Sequence, residues 1–107
     1  MKKLINDYFE FFSNKDIISL EKMFAEEVKL IDWNIYANGK NEVIEANKKI
    51  FKSLNSIKVE LKELYIEGCV ATCLIEILIN GKEKIKIIDL IKFNKNQKII
   101  LISAFKQ

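Results

Sequence analysis

The feature that most constrains this chain is a change of hydrophobic period near its midpoint. Through Leu54 most apolar residues recur at helical spacing, in blocks. From Ile57 onward they alternate, one residue to each face, almost to the end. Short turn signals interrupt the alternation, so its segments pair as antiparallel neighbours. Helices first and a sheet last make an α+β domain with the helices packed on one sheet face.

The elements follow from that pattern. Leu4, Ile5, Tyr8, Phe9, Phe11 and Phe12 define a first helix over about residues 2–13, broken at Ser13-Asn14-Lys15. Asp16 is placed to accept from the free amides of the next turn as an N-cap. Ile17, Leu20 and Phe24 form the inner face of a short second helix. Val28 to Trp33 reads as a strand, followed by a loop through Asn38-Gly39. Asn41 is expected to cap a third helix with Val43, Ala46, Ile50 and Leu54 on one face. The later strands are expected at about 57–66, 69–79, 83–93 and 98–106. Asn80-Gly81 is a two-residue hairpin signal, because both residues tolerate positive φ.

Composition excludes several kinds of protein. A chain of 107 residues fits one domain, taken as 1–107. No run of 18 apolar residues is present to span a membrane, and the start lacks the apolar centre of a signal peptide. A cytoplasmic location is the expectation. All 18 basic residues are lysines, spread along the chain. Without arginine's planar fork or a basic cluster, nucleic-acid binding is disfavoured. There is no histidine, which removes the commonest general base and metal ligand. Cys69 and Cys73 would lie four apart on one strand, about 13 Å from each other, too far to bond. Two thiols do not make a zinc site. No metal or cofactor is expected.

Strand parity singles out Asp89. From Ile85 to Phe93, Ile85, Ile87, Asp89, Ile91 and Phe93 share a face, and Asp89 is its only polar member. A carboxylate there must raise its pKa or find a donor. The structural alternative is an edge aspartate bonded to a lysine or to backbone. Tyr8 is a second candidate: its ring lies on the apolar stripe of helix one and its hydroxyl needs a partner. Its alternative is a core tyrosine with a backbone acceptor. Asp32, beside Trp33, is the third, and its alternative is a strand-end or turn aspartate.

The pattern of Tyr8, Asp16-Ile17, Met23-Phe24-Ala25-Glu26-Glu27, Asp32, Gly39-Lys40-Asn41-Glu42-Val43-Ile44 and Ile88-Asp89-Leu90-Ile91-Lys92-Phe93-Asn94 resembles the nuclear-transport-factor-2-like superfamily. The likeness is to its ketosteroid isomerase-like and SnoaL-like branches, and it extends through the final strand to Ala104-Phe105. It implies a cone: a curved antiparallel sheet of four to six strands wrapped around about three helices, with a pocket at one end. It also implies that Asp32 stands at the position of the isomerases' general base, with Tyr8 and Asp89 at their two oxyanion donors. Those isomerases are a known case of a carboxylic acid kept protonated by apolar surroundings.

There are departures from the pattern. Phe24 and Asn47 stand near positions where the isomerases carry tyrosines, the loop after Asp32 is shorter, and Trp33 replaces a proline. The missing histidines and arginines exclude mechanisms like those of scytalone dehydratase and limonene epoxide hydrolase. Polyketide-cyclase-like chemistry survives. Phe9, Phe12, Phe24, Trp33, Asn47, Phe51, Ile87 and Phe105 are the expected pocket wall.

Two readings remain open at this point. One is a cofactor-independent isomerase or cyclase acting on a small apolar carbonyl compound. The other is a non-catalytic module that binds a small ligand or associates with a protein. In either case a homodimer is expected through the outer sheet face, covering Leu74, Leu78, Ile88, Leu90, Ile100 and Ile102.

Overall fold

Lys2–Ser13 forms helix α1 because its apolar residues fall on one stripe, and Ile5, Tyr8 and Phe9 are buried from it. The computed structural model describes residues 1–107. After the break, Asp16 caps α2 (Ile17–Met23) as expected. Its Oδ1 accepts from the Ser19 amide at 3.1 Å and its Oδ2 from the Ser19 hydroxyl at 2.7 Å. The helix stops one residue short of Phe24, which opens strand β1 (Phe24–Ile31).

The segment expected as a loop holds a short strand, β2 (Tyr36–Asn38), paired antiparallel to β1. Helix α3 (Lys40–Ser53) begins before Asn41, so Asn41 is not its cap. Gly39 holds the N-cap at φ 94°, where a side chain would be strained. No side chain caps it; Glu42 reaches back across the cap instead, its Oε1 accepting from the Asn38 amide at the end of β2 at 2.9 Å.

The second half follows the alternation closely: β3 (Ile57–Glu67), β4 (Val70–Ile79), β5 (Glu83–Phe93) and β6 (Ile99–Lys106). Asn80 and Gly81 both adopt positive φ, and the Lys82 amide donates to the Ile79 carbonyl at 3.0 Å. Pairing resumes at Ile79 and Glu83, so the turn holds three residues rather than two. Cys69 is exposed in the turn before β4, not on a strand, while Cys73 is buried, so the two thiols do not share a face.

The six strands are ordered β2-β1-β6-β5-β4-β3. β1 and β6 run parallel and the other pairs antiparallel, which makes the sheet mixed rather than wholly antiparallel. The helices cover its concave face, with α1 against β3 and α3 against β1. Two ties fix that cover. The Ser13 hydroxyl accepts from the Val59 amide at 2.8 Å, and the Lys15 ammonium donates to the Leu54 and Asn55 carbonyls at the end of α3.

Irregular pairing within the ladder decides which side chains face inward. Lys92 pairs with Leu101 but Phe93 with Ile99, leaving one extra residue in β6. Such a bulge reverses side-chain parity along the strand. Ile99 is therefore buried before the bulge, and Ile102 and Ala104 face inward beyond it. Two expectations are corrected by this single feature. Phe105, expected in the pocket wall, is 57% exposed on the outer face opposite Ile88. Ile102, expected on the outer face, is 2% exposed and faces inward.

Candidate functional site

The concave face does not fill completely. A cavity of about 220 Å³ remains between α1, α3 and the sheet, and 17 of its 21 lining residues are hydrophobic. The floor strands contribute alternate residues: Ile75, Ile77 and Ile79 from β4, Ile85, Ile87 and Asp89 from β5, Ile102 and Ala104 from β6. The parity that marked Asp89 could have found the β4 set, because Cys73 pairs with Asp89, Ile75 with Ile87 and Ile77 with Ile85. Helix α1 supplies Tyr8, Phe9 and Phe12, and α3 supplies Asn47, Ile50 and Leu54.

Of the expected wall, Phe9, Phe12, Trp33, Asn47 and Ile87 line this cavity. Phe24 and Phe51 do not. Phe24 is buried at the start of β1, where the end of α2 turns it into the core. Phe51 is buried one layer back, its ring against Phe12 at a centroid distance of 4.9 Å. Trp33 is 45% exposed, with the Lys106 ammonium 5.7 Å from its ring centroid. This cation–π contact ties the loop after β1 to the end of β6.

All three sequence candidates reach the cavity. Asp89 stands on β5 between Ile87 and Ile91, and the lining ends with it, since the fully buried Ile91 lies beyond. The residue is 7% exposed, and no ion pair in the structure includes it. The edge-aspartate alternative is thereby removed. Burial, and secondarily the charge of Asp32, pushes its carboxyl up from an ordinary 3.8 to about 7. Tyr8 is held well above its ordinary 10.0, first by burial, then by Asp89 and Cys73, so its hydroxyl stays a neutral donor. Cys73, opposite Asp89, is pushed up to about 12 by burial and then by Asp89, and remains an inert thiol.

Asp32 has two tasks. It follows the last residue of β1, and its Oδ1 accepts from the Asn34 and Ile35 amides at 2.7 and 2.6 Å. Its own amide donates to the Ile35 carbonyl at 2.9 Å. It is thus the turn aspartate of the β1–β2 hairpin and also a cavity residue whose charge reaches Asp89. Those backbone bonds fix the direction of its carboxylate.

A curved sheet wrapped around three helices, with an apolar cavity between them, is the architecture of nuclear-transport-factor-2-like domains. Residues 1–87 match the family model for the SnoaL-like domain, and the chain belongs to that family. No curated protein matches it.

Solved structures agree on the fold. A candidate polyketide cyclase from Sinorhizobium meliloti superposes with a TM-score of 0.86 at 15% identity, covering 97% of this chain and 94% of that one. The epoxide hydrolase/cyclase-like enzyme SalBIII, of pyran ring formation in polyether salinomycin, gives 0.86 at 16% identity, covering 99% and 89%. A candidate ketosteroid isomerase from Kribbella flavida gives 0.85 at 13% identity, covering 98% and 76%. At such identities the likeness concerns the fold.

Proposed function

We propose that this domain binds a small, largely apolar carbonyl compound and moves a proton on the carbon next to the carbonyl. Asp32 takes the proton, and the C–H electron pair passes into the carbonyl to form an enolate. The Tyr8 hydroxyl and the protonated Asp89 carboxyl donate to the enolate oxygen. Asp32 then returns the proton to carbon, at the same or a conjugated position, so the reaction is an isomerisation and consumes no cofactor. Attack of the enolate carbon on a second carbonyl of the same compound would make it a cyclisation, the new alkoxide taking the proton that Asp32 had removed.

The reading rests on one observation. Two neutral donors and a directed carboxylate line a single apolar cavity, and the buried Asp89 has no ion-pair partner. A purely structural buried carboxyl would be expected to have found one. The test is exchange of the protons next to the carbonyl of 2-tetralone in heavy water, followed by NMR. The wild-type protein is expected to accelerate exchange. No acceleration across one- and two-ring ketones would leave a ligand-binding module without catalysis.

We also propose a homodimer through the outer sheet face and a cytoplasmic location. The apolar side chains Leu74, Leu78, Ile88, Leu90 and Ile100 are only half-buried there, and Phe105 is largely exposed beside Ile88. Light scattering at micromolar concentration is expected to give twice the chain mass of 12.5 kDa. Phe105→Lys is expected to shift the population toward monomer, and a monomeric wild-type protein would remove this interface. No helix is long and apolar enough to cross a membrane.

A further inference from the structure

Among the buried cavity residues, Asn47 is the polar one with no part in the proposed reaction. It is 2% exposed and projects from α3 on the same face as Val43 and Phe51, four residues to either side. Its Nδ2 is buried and has no hydrogen-bond partner. An unmade buried hydrogen bond destabilises a fold, whereas an apolar side chain of the same shape would not. The terminal amide torsion is broad and two-fold. A half-turn exchanges Oδ1 and Nδ2, so the amide is able to offer an N–H to whatever fills the cavity.

The volume limits what that occupant is. At about 220 Å³ the cavity exceeds the ~150 Å³ hollow that holds benzene. It falls short of the ~300 Å³ at the lower end of pockets for drug-sized ligands. One or two fused rings fill that volume, and a larger skeleton would extend out through the cavity's open side.

We propose that Asn47 is a specificity-determining residue. The ligand is a one- or two-ring carbonyl compound with a second hydrogen-bond acceptor, and the Asn47 amide donates to that acceptor. The proposal rests on the reading above that the first oxygen lies between Tyr8 and Asp89. It adds the size class and the second polar group.

The test compares 2-naphthol, whose oxygen mimics an enolate, with the hydroxyquinolines. These keep the two-ring outline and replace one ring CH with an acceptor nitrogen. Calorimetry at pH 6 is expected to find at least one hydroxyquinoline bound about tenfold more tightly than naphthol by the wild-type chain. In Asn47→Leu the preference is expected to fall within about twofold. The ligand-free variant is expected to melt several degrees higher. A wild-type protein that prefers no hydroxyquinoline, or a preference that survives Asn47→Leu, overturns the proposal. So does a variant that melts lower, because Nδ2 would then be making a structural bond. Tyr8→Phe separates the two readings. If it weakens naphthol while Asn47→Leu changes no preference, only the Asn47 assignment fails. If it leaves naphthol unaffected, the oxyanion placement fails and the Asn47 result is judged alone. Binding of no probe by the wild-type protein overturns both.

Discussion

Asp89→Asn is expected to melt about 8 °C above the parent chain at pH 8 and about 6 °C below it at pH 4. The reason lies in the raised carboxyl. In the unfolded chain Asp89 titrates near 3.8; in the fold it titrates at about 7. Between those values the folded state holds more protons than the unfolded one, so stability falls as pH rises through that window. The stability is fully present below pH 3.8 and fully lost above about 7. The gap of about three pH units corresponds to at most about 4 kcal/mol. An asparagine never ionises, which removes that penalty, but it leaves a buried amide incompletely bonded, at about 1–3 kcal/mol. A net gain of about 2 kcal/mol at pH 8 follows, and a net loss of about 1–2 kcal/mol at pH 4, where the carboxyl is already neutral in the fold and only the amide's cost remains. Equal melting shifts at the two pH values would mean that Asp89 is not a strained carboxyl in the fold. The position thus carries a standing cost in stability, a common mark of a group retained for function.

The same titration governs activity. Below about pH 7 Asp89 is mostly a neutral donor; above it, an anion facing the enolate. Proton exchange by the wild-type protein is therefore expected to decline as pH rises through about 7, and Asp89→Asn to abolish that limb.

Asp32→Asn is expected to slow proton exchange on 2-tetralone by about 10²–10⁴-fold, the range for loss of a general base. The amide keeps an acceptor oxygen for the Asn34 and Ile35 amides, so the β1–β2 turn is expected to persist and naphthol binding to change little. Asp32→Ala removes that acceptor as well and is expected to loosen the hairpin. The two variants separate the base from the turn aspartate. The asparagine variant carries a second readout, because after burial the charge of Asp32 is what raises Asp89. Its loss should lower the pH at which Asp89 titrates. An unchanged exchange rate in Asp32→Asn would remove Asp32 from the mechanism and favour the binding module.

Much of this molecule follows from local pattern. The stripe from Leu4 to Phe12 specified α1 and turned Tyr8 inward, Asp16 announced its helix, and the alternation from Ile57 set four strands nearly to the residue. Asp89 was legible for the same reason: side chains in an extended chain alternate whatever the strand pairs with. What escaped was everything fixed by partners. β2 is only three residues long and exists because β1 lies beside it. The parallel pairing of β1 with β6 is a relation between segments remote in sequence. The extra residue in β6 carries no proline or glycine to mark it, yet it exchanged the faces of Ile102 and Phe105. An unpaired Asn47 is a statement about groups that fail to arrive, and only the packed cavity decides that. By itself the sequence determined every element but β2, and the lone carboxyl on an apolar strand. Tertiary structure decided what faces that carboxyl, because hydrogen bonds, burial and charge depend on distances between elements that local periodicity does not encode.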